Sequence, residues 1–274
     1  MVDVDTFLTI LYVMADDFCK IFLPPEPHPG PPAALSRSEV VTLALCGQWQ
    51  DCGSERGLYR YAQHHLRAAL PSLPARAQYN RQVRRQHAAL VAFFLSLVHL
   101  LAAQCCAYEA LDSSGVPTRD AKRRGAGWLP GLADIGWSNR LGWYAGVHLL
   151  LAVNPVGVIT GCGCGAASTK EQPLAETFFG LRRHPHPGLA RVGAPAWGPY
   201  VVDKGLEGQA NHTAWWRTSG AHVNHTFRLD RERPQALSGL QARLAAKMAL
   251  HHFCIWVNEQ LGRPRLVFAD LVDW

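Results

Sequence analysis

Two aspartates, Asp112 in LDSSGVPT and Asp203 in YVVDKGLEG, share a local context: each closes an apolar run, and small or turn-forming residues follow. Val201 and Val202 are a β-branched pair of the kind that ends a buried strand, and Gly205 and Gly208 supply the turn by which a chain leaves a sheet. Both carboxylates are therefore expected at the carboxyl ends of strands, the edge of an open α/β sheet where ligands and catalytic groups collect. Two carboxylates at one such edge can hold Mg²⁺ or Mn²⁺, hard cations that take oxygen ligands and complete their shell with water and phosphate oxygens. Where two such ions lie about 4 Å apart, one activates the attacking oxygen and the other stabilises the leaving oxygen of a phosphodiester. That chemistry requires a polyanionic substrate and no nucleophilic side chain. Strand-end aspartates also arise as plain turn formers, so the spacing by itself leaves both readings open.

The composition fits a polyanionic partner without requiring one. Lys plus Arg number 27 against 21 Asp plus Glu, a formal charge of +6, and 48% of the 274 residues are hydrophobic, ample for a large core. Of the eight cysteines, most stand inside apolar runs, the pattern of reduced thiols used as small hydrophobes. The C-x-C pair Cys162 and Cys164 has no second Cys or His pair at zinc-finger spacing, so no structural zinc site is expected. The start, MVDVDTFLTILYVMADDFCK, is acidic where a secretory signal is basic, and a cytoplasmic, nucleoid-associated protein is expected. Residues 89–108 are long and apolar enough to consider as a membrane span, but Ser96, His99 and Gln104 interrupt them and the run leads straight toward Asp112. A buried core helix feeding a strand is the better reading, with no membrane partner.

The elements that must position the aspartates follow from periodicity and punctuation. Residues 5–23 read as a helix stopped by LPPEPHPGPP, and Ser36 with Glu39 has capping-box spacing before a second one. Helical signal continues through GLYRYAQHHLRAAL and PSLPARAQYNRQVRRQHAAL, so about the first 100 residues form an all-helical, partly basic unit. Its Arg76, Arg81, Arg84 and Arg85 suit either a solvated helix face or a DNA surface. Beyond residue 105 the pattern becomes extended: a strand ending at Asp112, two strands in WYAGVHLLLAVNPVGVITGCGCG joined at Asn154 and Pro155, a helix over Glu171 to Leu181, and a strand ending at Asp203. That order predicts a mixed α/β sheet, closed by a helix over 236–262 that stops at Gly262 and Pro264. His148, alternating with apolar neighbours, reads as a satisfied core histidine, and Trp215 with Trp216 as packing or base-stacking residues.

Taken in order, LSRSEVVTLALCGQW, SERGLYRYAQHHLRAALPSLPARAQYNRQVRR, LDSSGVPT, GWYAGVHLLLAVNPVGVITG, YVVDKGLEG and GLQARLAAKMALHHFCIWVNEQLGRP resemble the segments of bacterial insertion-sequence transposases of the Asp-Asp-Glu type, from the first residues to Trp274. The resemblance implies a helical region over 1–104 and a ribonuclease-H-like catalytic domain over 105–274 with a C-terminal helix. It also implies Mg²⁺ or Mn²⁺, double-stranded DNA of the element ends as partner, a homodimer, and strand cleavage and joining. Asp112 matches the family's first acidic residue and Asp203 its second, as catalytic and metal-binding residues. DNA contacts are expected from Arg119, Lys122, Arg123 and Arg124 in the basic run after Asp112, from Lys204, and from Arg81, Arg84 and Arg85.

The departure lies downstream. In the family, a helix bearing the third acid separates the second aspartate from the closing helix, whereas here NHTAWWRTSGAHVNHTFRLDRERPQALSG covers that ground, as if AHV were joined to NHTFRLD. The domain is thus expected to be incomplete between 223 and 236, leaving Glu207, Glu232 and Glu259 as the remaining glutamates. Glu207, four residues after Asp203, is the third candidate ligand. A catalytically dead DNA-binding remnant is the alternative.

If phosphate contacts dominate binding, log K for duplex DNA falls linearly with log[salt], with a slope of about −0.9 per phosphate neutralised. Titrations between 50 and 300 mM salt (roughly, the range over which this slope is readable) check it, and salt-insensitive binding would contradict it.

Overall fold

A computed structural model describes residues 1–26, 33–49, 55–103, 106–119, 129–183, 200–202 and 236–273. The first turn of the chain is fixed by local polar chemistry. After β1 (Val2–Asp3), the Asp3 carboxylate accepts the Thr6 N–H at 2.9 Å and caps α1 (Val4–Phe22). The predicted capping box opens α2 (Arg37–Cys46): Ser36 Oγ accepts from Glu39 N at 3.2 Å, and Glu39 Oε2 accepts from Ser36 N at 2.5 Å. The helices α3 (Glu55–His65), α4 (Arg76–Arg85) and α5 (His87–Leu100) complete the helical segment. The apolar residues of α5 meet protein, Phe93, Phe94, Leu97 and Val98 being fully buried, and no described helix is long and apolar enough to cross a membrane.

Five strands then form a mixed sheet: β2 (Glu109–Arg119), β3 (Asp134–Ser138), β4 (Gly142–Val153), β5 (Ile159–Ala166) and β6 (Tyr200–Val202). The hub is β4. It pairs antiparallel with β2 along one edge and, along the other, with β3 at its start and β5 at its end. The turn between β4 and β5 forms at Asn154 as predicted, its Oδ1 accepting the N–H groups of Val156 at 3.2 Å and Val158 at 2.9 Å. β6 joins the far side of β2 in parallel, with Glu109 opposite Tyr200, Ala110 opposite Val201 and Leu111 opposite Val202. The two apolar runs that lead to Asp112 and Asp203 are therefore neighbours, as their matched contexts predict.

Two expectations need correction. Asp112 does not end its strand: β2 runs on to Arg119, because Ser113, Ser114, Gly115, Val116 and Pro117 all pair with β4 despite their turn-like composition. The partner strand overrides local propensity. The sequence reading also lacks β3, a five-residue strand whose DIGWS gives too short an alternation to separate from its loop.

Helices cover both faces. α6 (Glu171–Arg183) leads from β5 to β6 and packs Leu174, Ala175 and Phe178 on Leu111, Leu150 and Ala152. Its close approach explains the GCGCG run. A Cβ on Gly163 would lie 3.2 Å from Phe178, and one on Gly165 3.2 Å from Leu174. The alternating Cys162 and Cys164 point the other way and pack against the main core, where burial pushes Cys162 up to about 12, so this thiol is not a nucleophile.

On that second face lies α7 (Leu237–Gln260), which stops at Gly262 (φ 64°) as predicted, with Arg263 N donating to Asn258 O at 2.8 Å. One apolar core joins Phe7 of α1, Leu45 of α2, Phe93 of α5, Leu149 of β4 and Phe253 of α7. The helical segment and the sheet thus share a single interior. The chain ends meet as well: β7 (Val272–Asp273) pairs in parallel with β1.

Within this core His252 is fully buried, stacks on Phe94 at 5.1 Å, and accepts the Ile159 N–H on Nε2 at 3.0 Å. Burial, reinforced by the neighbouring His251, holds its pKa well below the ordinary 6.5. The unfolded chain takes up this proton as pH falls past about 6.5 and the folded chain does not. Stability from this group is full above that pH and declines below it, by at most about 1.4 kcal/mol per pH unit until the folded-state pKa is reached. His252→Gln retains an acceptor for Ile159 and removes the titration. Urea midpoints between pH 7.5 and 5 (roughly, the window bracketing the unfolded histidine value) should fall less steeply in the variant.

Candidate functional site

The parallel pairing of β6 with β2 sets the geometry of the candidate site. With Leu111 level with Val202, the next residue of β2 is Asp112, and the next residue of the chain after Val202 is Asp203. Asp203 itself lies outside the described residues, as do Lys204, Glu207, Glu232, Trp215, Trp216 and the basic Lys122, Arg123 and Arg124. Asp112 is half-buried, and its Oδ1 accepts the N–H of Ser113 at 2.7 Å. By strand alternation it shares a face with Val116 and, across the strand pair, with Leu151, both members of the main core on the α7 side.

What holds the two strands in register is a buried ionic clasp that sequence reasoning missed. Arg182, in the last turn of α6, donates to Glu109 Oε2 at 2.7 Å and Oε1 at 3.2 Å, with side-chain exposures of 1% and 2% for the pair. The same guanidinium donates to the Tyr200 hydroxyl at 2.9 Å and stands over the rings of Phe178 and Tyr200. Burial raises the Tyr200 hydroxyl to about 12, so it stays protonated. Glu109 begins β2, Tyr200 begins β6, and the two face each other in the ladder. The one available signal was a glutamate inside the apolar run AYEAL, since a buried charge needs a partner.

A second polar cluster lies on the same α6 side of the sheet as the clasp, opposite the face that carries Asp112. His148 Nδ1 donates to Thr169 O at 2.8 Å, which leaves Nε2, 3.0 Å from Ser113 Oγ; that hydroxyl also bonds Glu171 in the first turn of α6. His148 is thus satisfied, as expected, and the cluster anchors the start of α6 to β2 and β4 as Arg182 anchors its end. Ser113 alternates with Asp112, so this cluster and the Asp112 carboxylate occupy different faces.

Three of the described glutamates have partners of their own. Glu109 is held by Arg182, Glu171 by Ser113 on the far face, and Glu259 by Arg265 at 2.6 Å near the end of α7. Among the described residues no group of three His, Cys, Asp or Glu side chains converges. Asp112 supplies an oxygen donor of the type Mg²⁺ takes, and with Asp203 could hold it; a third ligand is not found among these glutamates. The arginines expected to contact DNA are split. Arg81, Arg84 and Arg85 are exposed on α4, and Arg119 ends β2 opposite Ala145.

No family model matches the chain, and no characterised protein or solved structure matches it either.

The clasp generates a thermodynamic expectation. Arg182→Met strands a buried carboxylate and should cost about 3–5 kcal/mol, whereas Glu109→Leu with Arg182→Met removes both charges and should cost much less than the two single changes combined. Urea unfolding of the four proteins measures the coupling, and additive losses would show that the pair does not act as a unit.

Proposed function

We propose that this chain is a DNA transposase of the Asp-Asp-Glu type whose strand-cleaving centre is built around Asp112 and Asp203 and lacks the family's third acid. The observation that carries the reading is the parallel β2–β6 ladder, with Leu111 opposite Val202 immediately before the two aspartates. The topology supports a ribonuclease-H-like domain: three antiparallel strands, β2, β4 and β5, with α6 leading to a strand parallel to β2 on its free edge. The resemblance of the ordered segments supplies the substrate, double-stranded DNA at element ends, and a homodimer that engages two ends.

The roles follow from chemistry. Asp112 and Asp203 would hold Mg²⁺ or Mn²⁺, which when bound activates the attacking oxygen and stabilises the leaving oxygen of the phosphodiester. The exposed Arg81, Arg84 and Arg85, with Arg119, Lys122, Arg123, Arg124 and Lys204, would neutralise phosphates and so orient the duplex without reading its sequence. With Glu109, Glu171 and Glu259 committed elsewhere, an unaided Asp pair holds the cation loosely. Such a copy binds DNA and cleaves it poorly.

The test compares this chain with a version carrying a Glu-bearing helix inserted between Val223 and Asn224. Mg²⁺-dependent cleavage of end-sequence DNA is expected to rise by on the order of 10² to 10³ in the inserted version and to vanish in both with Asp112→Asn. Robust cleavage by the unmodified chain that is lost on Glu207→Gln or Glu232→Gln would instead identify a substitute ligand. Absence of any DNA binding at low salt would overturn the reading.

A further inference from the structure

The helical segment carries a run of charge that the strand-cleavage reading uses only in part. After Glu55 the sequence holds no aspartate or glutamate until Glu109, yet it places Arg56, Arg60, Arg67, Arg76, Arg81, Arg84 and Arg85 between them. All seven arginines are exposed, and among the described residues none of them takes part in an ion pair. α3 is built to hold part of this charge outward. Leu58 and Ala62 bury one side of it in a small core with Val40 and Leu43 of α2 and Tyr79 of α4. The Tyr59 hydroxyl donates to Pro74 O at 2.7 Å and ties the helix to the chain that leads into α4. At about 100° per residue, the exposed Arg56, Arg60, Gln63 and His64 fall within an arc of about 100° on the opposite side, and Arg67 follows the last turn.

We infer that this stripe of α3 enters the major groove of duplex DNA, with its cations on the flanking phosphates and Arg60 and Gln63 facing base edges. The chemistry of the stripe selects the partner. A row of cations without an acid among them calls for a polyanion. An α-helix about 10–12 Å across fits the B-DNA major groove, about 12 Å wide, whereas the corresponding groove of A-form RNA is too narrow for side chains to read. Arginine and glutamine are the residues whose paired hydrogen-bonding groups match guanine and adenine edges in that groove. Single-stranded DNA is held on exposed aromatic rings, and the stripe has none. Tyr59 and Tyr61 are half-buried, the first tied to Pro74 and the second stacked on His65 with ring centroids 4.8 Å apart. A protein interface needs an apolar centre, which these polar side chains do not supply. The inference rests on the proposed function for the premise that the chain engages duplex DNA, and it adds the element that docks. It requires neither Asp112 nor a metal.

The experiment measures binding of a fluorescently labelled duplex of about 30 base pairs, roughly three helical turns, by anisotropy without divalent metal across a salt series. Because the side chains are exposed, Arg56→Ala with Arg60→Ala and Arg67→Ala should melt at the parent's temperature. The slope of log K against log[salt] should become less steep by about 2.7, three phosphate contacts at about 0.9 each, and affinity should fall about tenfold or more. Lys20→Ala with Lys170→Ala, which removes exposed cations elsewhere, should leave the slope as in the parent. Methylating guanine N7, an atom of the major groove, should weaken binding by the parent. The inference is overturned, and the transposase reading left standing, by any of four results: an unchanged slope in the α3 variant, a comparable change with the lysine pair, indifference to N7 methylation, or equal affinity of the parent for a single strand. No duplex binding by the parent at low salt removes both. Duplex binding that depends on the α3 arginines, in a chain that does not cleave even with the Glu-bearing helix inserted, upholds the inference and removes the transposase reading.

Discussion

A buried carboxylate at the start of an inner strand is tolerable only when its charge is met, and the rest of the sheet is organised around the way Glu109 is met. Its partner, Arg182, is 73 residues away at the end of a helix, so the bidentate bond between them fixes where α6 finishes relative to β2. A further N–H of the guanidinium goes to the Tyr200 hydroxyl, and the group stands over the rings of Phe178 and Tyr200. Two carboxylate oxygens, a phenol and two rings thus converge on one cation, which offsets the cost of removing it from water. The consequence is positional. β6 is only three residues long, and three ladder positions alone specify register weakly. With Tyr200 tied through Arg182 to Glu109, the residue it faces, the ladder is held in the register that sets Leu111 opposite Val202.

The two faces of the sheet divide the work. The α6 face is shaped for close approach: glycines at 163 and 165 leave room for Phe178 and Leu174, and the Ser113–His148–Glu171 cluster secures the first turn of the helix. The helix is therefore fastened at both ends by polar contacts and along its length by apolar ones. Asp112 projects to the other face, where α7 and the N-terminal helices share one core with the sheet. That arrangement makes the helical first third of the chain part of the support for the strand bearing Asp112, since Phe7 and Phe93 pack into the same interior as Leu149.

The commitments of the described glutamates give the proposed centre its character. Glu109, Glu171 and Glu259 are each engaged by a partner: an arginine in the core, a serine across the sheet, an arginine beyond a helix end. Among the described residues no group of three His, Cys, Asp or Glu side chains converges. The arginines proposed to contact DNA on α4, Arg81, Arg84 and Arg85, are exposed.

Local chemistry was legible in the sequence wherever it acts over a few residues. The Ser36–Glu39 capping box, the Asn154 turn, the stop at Gly262, the helix beginning at Glu171 and the buried character of residues 89–100 all follow from side chains that bond or pack with near neighbours. The matched apolar runs before Asp112 and Asp203 were enough to expect adjacent strands, because burial on both faces leaves the same apolar signature in each. Decisions taken between distant residues were not legible. Only the pairing with β4 carries β2 through the turn-like SSGVP to Arg119, and only the meeting of Glu109, Arg182 and Tyr200 sets the register of β6. A charged or polar residue advertises that it needs a partner but not which one, since the partner is selected by three-dimensional proximity and not by spacing along the chain.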